Sequence, residues 1–104
     1  MTTKTKPDDA LLSARIRVPS HVVYRSFPIE TVVLNLNTGK YHGLNPSAGR
    51  MLQALEQTSS VRAAAEALAE SYEQPLATIE RDLCELCNAL YERGLIEIDG
   101  ACGL

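Results

Sequence analysis

The residues most capable of chemistry are two cysteines three positions apart, Cys84 and Cys87. Redox dithiols and metal sites both use this Cys-x-x-Cys spacing. A redox pair is favoured at the start of a helix, where the helix dipole lowers a thiol pKa, but this pair lies about two turns inside a predicted helix. A metal site would need two further ligands, whereas Cys102, His21 and His42 are scattered along the chain. The pattern favours cysteines that pack as small apolar residues, with thiol or metal chemistry as the weaker alternative.

The remaining reactive side chains form no catalytic pattern. Local spacing indicates neither a Ser-His-Asp nor a Cys-His arrangement. Gly39, Gly43 and Gly49 fall in a predicted turn, strand and helix, so they cannot form one phosphate-binding loop. Glu80 and Asp82 point to different faces of a helix and cannot share a proton. We therefore predict a protein that is not an enzyme and needs no cofactor.

The elements that position these residues begin with predicted strands. Residues 21–27 and 32–36 show the alternation of half-buried strands, and residues 40–44 return after a tight turn in which Gly39 supplies the positive φ. The three strands form an antiparallel meander. Asn45 follows directly and can cap a helix whose first residue is proline.

Three predicted helices follow the strands. Apolar residues recur at helical spacing over residues 46–56, 61–72 and 76–93, and Gly94 is suited to end the last helix. Residues 95–98 are short and β-prone and are expected to pack back on the fold. The order predicts an α+β, winged-helix-like fold, with a three-stranded antiparallel N-terminal sheet followed by three α-helices.

The length of 104 residues predicts one domain. We expect a flexible N-terminal tail at residues 1–14, a domain at residues 15–98 and a flexible C-terminal tail at residues 99–104. No apolar run approaches the ~20 residues of a membrane span, and no secretory signal is visible, so we expect a cytoplasmic protein. Three cysteines are an odd number and do not suggest a disulfide framework.

Charge is divided unevenly along the chain. Residues 1–52 carry a net charge of +4, and residues 53–104 carry a net charge of −7. A winged-helix fold raises the alternative of a DNA-binding regulator, in which the third predicted helix would read the DNA. That helix carries four acidic side chains and only two basic ones, so nucleic acid is not the expected partner.

The third predicted helix has an apolar stripe that is wider on one side. At ~100° per residue, its core stripe is formed by Ile79, Leu83, Leu86 and Leu90. One shoulder of the stripe is extended by Cys84, Cys87 and Tyr91, with Glu80 beside them. The sequence supports two explanations equally: an additional contact beyond the core, or a helix that is simply more buried than the others.

The short strand at residues 40–44 lies at a predicted sheet edge. Its unpaired backbone groups could bond to an extended peptide, which would add as another strand and rest its side chains on the shoulder of the third helix. The same edge could pair with a second copy of the chain. A monomer and an edge-paired dimer therefore both remain open.

Three segments have an order and spacing typical of one known family. They are NTGKY at residues 37–41, LNPSA at residues 44–48 and IERDL at residues 79–83, followed by Gly94-Leu95-Ile96. Together they resemble the PqqD-like family, the precursor-peptide recognition elements of ribosomal peptide natural-product (RiPP) pathways. The resemblance covers roughly residues 18–98.

The resemblance implies a small winged-helix-like domain without catalysis, which binds the N-terminal leader of a precursor peptide. The leader would add beside the third strand and pack on the third helix. It implies a peptide-binding site at Lys40, Tyr41, His42, Gly43, Leu44, Glu80, Cys84, Cys87 and Tyr91. The second partner would be a pathway enzyme: a leader peptidase, a cyclase or a radical SAM enzyme. The Leu-Asn-Pro-Ser start of the first predicted helix looks most like the lasso peptide branch, and neither nucleic acid nor a membrane is implied as a partner.

Overall fold

The computed structural model describes residues 9–99, which form five strands and four helices. The strands are β1 (Arg15–Arg17), β2 (Val22–Ser26), β3 (Thr31–Asn35), β4 (Tyr41–Leu44) and β5 (Glu97–Asp99). The helices are α1 (Asp9–Leu12), α2 (Pro46–Gln57), α3 (Val61–Tyr72) and α4 (Leu76–Glu92). No helix within these residues is long and apolar enough to cross a membrane.

The predicted meander and helix order are confirmed. Strands β2, β3 and β4 form one antiparallel sheet in that order, and α2, α3 and α4 follow it along the chain. This is the predicted α+β arrangement, with α4 as the third predicted helix. The hairpin between β3 and β4 turns at Gly39, whose φ of +76° is the left-handed conformation that glycine adopts without strain.

Local hydrogen bonds explain where α2 and α3 begin. The side chain of Asn45 accepts the backbone N–H of Ala48 at 2.8 Å. The side chain of Ser60 accepts the N–H of Ala63 at 3.0 Å. Both are N-cap contacts that satisfy a helix donor which no helical carbonyl can reach. Asn45 therefore fixes the point where β4 passes directly into α2.

A close approach between α2 and β3 depends on Gly49. A Cβ atom at this position would lie 2.0 Å from the Oγ1 of Thr31. Thr31 is buried, and its hydroxyl lies 3.0 Å from the Oγ of Ser26. Glycine thus lets α2 lie directly on the sheet, and this places the start of α2 next to β4.

At the N-terminal end, the described residues begin inside the segment predicted as a tail. Residues 9–12 are helical as α1, and Leu11, Leu12 and Ala14 are buried in the core. Two adjacent leucines are too short a pattern to show helical periodicity, so this packing could not be predicted from the local sequence. Residues 1–8 and 100–104, including Cys102, lie outside the described residues.

A second sheet joins the two ends. β1 pairs antiparallel with β5, which brings Arg15 opposite Asp99. Arg17 lies 2.8 Å from Glu97 and 3.5 Å from Asp99 in exposed ion pairs. The β-prone segment predicted at residues 95–98 overlaps β5, but its pairing with β1, at the other end of the domain, was not predicted.

Candidate functional site

The outer edge of β4 presents backbone groups that no described strand pairs. Within residues 9–99, β4 pairs only with β3. Asn35 donates its N–H to the carbonyl of Lys40 at 2.9 Å. Because hydrogen-bonded pairs alternate along an antiparallel ladder, the backbone of His42 also bonds toward β3, and Tyr41 and Gly43 direct their N–H and C=O groups outward. The predicted edge at residues 40–44 is therefore open at two residues.

The side chains of β4 divide between the two faces of the sheet. Tyr41 lies opposite Leu34 on the outer face and is 70% exposed. His42 lies opposite the buried Val33, on the inner face that the helices cover. Leu44 is half-buried and packs against the core on this face. An added strand would follow the same alternation, so every second side chain would point toward the helices.

A groove lies on the inner side, between the start of α2 and one side of α4. It contains two adjoining cavities of about 410 and 290 Å³, which share Ser47, Met51 and Asp82. The larger cavity is also lined by Asn45, Ala48, Glu85 and Leu86. Met51 and Leu86 supply an apolar surface, and the carboxylates of Asp82 and Glu85 make the larger cavity acidic.

A side-chain contact joins β4 to the end of α4. The guanidinium Nη1 of Arg93 lies 3.0 Å from the ring Nδ1 of His42. Arg93 is the C-cap residue of α4 and lies seven residues after Leu86, so both are on the same side of the helix. We therefore define the groove side of α4 as Asp82, Leu86 and Arg93.

The other shoulder of α4, which we call the packed side, carries the four helix residues of the predicted peptide-binding site: Glu80, Cys84, Cys87 and Tyr91. Glu80 approaches Arg62 of α3 at 3.9 Å, with only 14% of its side chain exposed. Leu86 lies about 120° from Glu80 around the helix axis, at ~100° per residue. Tyr91 lies near Glu80 in this projection and is 56% exposed. The structure therefore brings the five strand residues together at one sheet edge, and it places Glu80 of this helix shoulder next to α3.

Both cysteines of the Cys-x-x-Cys pattern belong to the core. Cys84 and Cys87 are buried in the middle of α4. Burial, with a smaller contribution from the nearby Cys84, raises the pKa of the Cys87 thiol to about 12. A reactive thiol requires the opposite shift, because the thiolate is the nucleophile. The environment of Cys87 is thus that of a packing residue, as the favoured explanation of the pattern predicts.

Sequence reasoning missed Met51 and Leu86 as groove residues, and Arg93 as the residue at the end of α4 that contacts β4. Met51 and Leu86 were assigned to helix stripes that face the core, and both indeed pack against it with part of their surface. The spacing of seven residues between Leu86 and Arg93 was an available signal, since it places both on one helix face. Nothing in the local pattern indicated that this face, rather than its neighbour, meets β4.

Comparison with known proteins gives one family and two similar structures. The family profile of Coenzyme PQQ synthesis protein D (PqqD) matches residues 30–96. The chain is similar to TbiB1 in complex with the TbiA(beta) leader peptide, with 31% identity and a TM-score of 0.70 over 78% of this chain and 94% of that one. It is also similar to lasso peptide synthetase B1 complexed with the leader peptide, with 27% identity and a TM-score of 0.72 over 81% and 99% of the two chains. No curated protein matches the chain.

Proposed function

Because the chain belongs to the PqqD family, we propose that it binds the leader segment of a ribosomally made precursor peptide, without catalysis. The observation that carries this proposal is the open edge of β4 beside the groove. The two similar structures were both solved with a leader peptide, which supports the same class of ligand here. The acidic character of α4 does not favour the DNA-binding alternative.

The leader would bind by β-augmentation. Its backbone would bond to the outward N–H and C=O groups of Tyr41 and Gly43, and its inward side chains would rest on Met51 and Leu86 in the groove. Residues 40–44 then form the strand half of the site, as the sequence indicated. For the helix half we propose the groove side of α4, and Glu80, Cys84, Cys87 and Tyr91 are the competing assignment that binding data must compare.

The second half of the proposal is presentation of the bound leader to a pathway enzyme. The similarity to lasso peptide synthetase B1 supports a lasso peptide pathway, in which we propose a separate leader peptidase as the partner. Because ribosomes make the precursor, this encounter would take place in the cytoplasm. Leader binding would occupy the β4 edge, so it would compete with any edge-paired dimer of the chain.

The test removes one outward backbone donor, and a matched variant controls for the lost side chain. Tyr41→Pro deletes an N–H that faces away from β3, which a sheet edge tolerates, whereas the matched control Tyr41→Ala keeps that N–H. One lost main-chain hydrogen bond costs about 1 kcal/mol, so we expect Tyr41→Pro to bind several-fold more weakly than Tyr41→Ala. The measurement is fluorescence anisotropy with the labelled leader of the precursor encoded beside this gene, and thermal melting confirms that both variants fold. Equal affinities would contradict β-augmentation at this edge.

A further inference from the structure

We infer that Arg93 determines leader specificity by binding an acidic side chain of the leader, at the position opposite His42 on β4. This inference rests on the proposed leader binding. It adds which charge the leader carries at one position and how the leader strand is aligned with β4. It begins from the contact of 3.0 Å between Nη1 of Arg93 and Nδ1 of His42. That contact spans from the end of α4 to the strand on which the leader would add.

The contact leaves the charge of Arg93 without compensation. A guanidinium has only donors, so the imidazole Nδ1 must accept and the ring must be uncharged to do so. Arg93 is exposed, and the ion pairs found among residues 9–99 involve Arg17 and Arg62 instead. A neutral ring nitrogen offers one acceptor, whereas a carboxylate offers two oxygens that match the guanidinium fork and oppose its charge. A carboxylate should therefore displace His42 from Arg93.

The register follows from the pairing of the strands. The side chain of His42 lies on the inner face of the sheet, since it is opposite Val33. A residue directly opposite His42 on an added strand would have its Cβ about 4.5–5.5 Å away and on the same face. An Asp or Glu there would place its carboxylate beside the atoms that His42 now offers to Arg93. The residues on either side of it would point to the outer face and could not reach.

The other end of the groove side of α4 is acidic and would repel the same side chain. Asp82 and Glu85 line that end. Asp82 precedes Arg93 by eleven residues, which is about 16 Å along a helix. A leader whose carboxylate is near Asp82 would meet like charge, and one whose carboxylate is near Arg93 would meet opposite charge. The groove thus distinguishes the two ends of the leader strand.

The experiment compares the two partners of one hydrogen bond. Arg93→Gln keeps a donor but loses the charge, and His42→Ala releases Arg93 for the leader. With the labelled leader of the precursor encoded beside this gene, we expect Arg93→Gln to raise Kd about tenfold. His42→Ala should raise Kd by a clearly smaller factor, because Arg93 stays available for the leader's carboxylate. A contact that serves only to hold β4 against α4 would make the two variants equally weak, and this result would overturn the inference.

A scan of the leader locates the acidic residue. Each Asp or Glu is changed in turn to its amide, and the peptides are titrated against the wild-type protein and Arg93→Gln. We expect one position at which the amide weakens binding to wild type about tenfold and has no further effect on Arg93→Gln, which is the signature of a coupled pair. Arg93→Glu should be rescued by Lys at that position.

The outcomes separate the two proposals. A wild-type protein that binds the leader, with no acidic position coupled to Arg93, overturns the specificity inference and leaves leader binding intact. A wild-type protein that does not bind the leader overturns both.

Discussion

The two sides of α4 show how one helix can serve both the core and a binding surface. On the packed side, Cys84 and Cys87 are buried and Glu80 faces Arg62 of α3. On the groove side, Leu86 is half-buried beside cavities, and Arg93 reaches across to β4. The difference is one of neighbours: α3 covers one side, whereas on the other side α2 and β4 leave a gap. Substitutions of buried residues on the packed side should therefore change stability, and substitutions on the groove side should change affinity.

The largest expected effect is that of Cys87→Arg on the packed side. Cys87 is fully buried, so a guanidinium there would be withdrawn from water. An unpaired buried charge costs several kcal/mol, which is a large part of the stability of a small domain. We expect the far-UV circular dichroism of a largely unfolded protein. Glu85→Arg, at an exposed position two residues earlier, is the control and should retain the native spectrum. A folded Cys87→Arg that merely lost leader affinity would favour the site first predicted from the sequence.

Two leucines three residues apart give the sharpest comparison. Leu83 is fully buried, so Leu83→Ala should lower the free energy of unfolding by about 2–5 kcal/mol. Leu86 lines the groove and is only half-buried, so Leu86→Ala should lower it less and should weaken leader binding several-fold. Urea denaturation and anisotropy titration measure the two quantities separately. If both variants changed stability and affinity in the same proportion, the division of α4 into two sides would be wrong.

The raised pKa of Cys87 predicts a loss of stability in alkali. The folded state keeps the thiol protonated up to pH about 12, whereas an unfolded thiol loses its proton at ~8.5. Above pH ~8.5 the unfolded state therefore binds fewer protons than the folded state. The contribution of this thiol to the free energy of unfolding is fully present below pH ~8.5. It is lost as the pH rises, by up to about 1.4 kcal/mol per pH unit.

Urea denaturation between pH 7 and pH 10 measures this slope. Cys87→Ala is the control, because it lacks the thiol but keeps the other alkaline groups, including Tyr24, whose pKa is raised by burial and by its hydrogen bond to Glu56. We expect the wild-type protein to lose stability more steeply than Cys87→Ala. Parallel curves would show that Cys87 is not enclosed as the structure indicates.

The smallest expected effect is that of Tyr91→Ala. Tyr91 is exposed on the packed side, so its removal should change neither leader affinity nor stability by more than about 0.5 kcal/mol. This variant tests the alternative helix face directly. A loss of leader affinity as large as that of Leu86→Ala would assign the leader to the shoulder that carries Tyr91.

The sequence alone determined the local parts of this protein. Asn45 caps its helix as predicted, Gly39 forms the hairpin turn, and the strand and helix boundaries agree with the pattern within a few residues. These features depend on hydrogen bonds and side-chain periods within a few residues of each other, so the local sequence specifies them. The edge position of residues 40–44 followed from the same reasoning.

Tertiary structure alone decided which elements meet. The burial of α1, the pairing of β1 with β5 and the approach of Gly49 to Thr31 all join distant parts of the chain. The same is true of the contact between His42 and Arg93, which selects the groove side of α4. Periodicity fixes the angle between two residues on one helix, but it does not say which neighbour covers either face. That choice depends on how α2, α3 and the sheet fill the space around α4, and therefore on the packing of the whole domain.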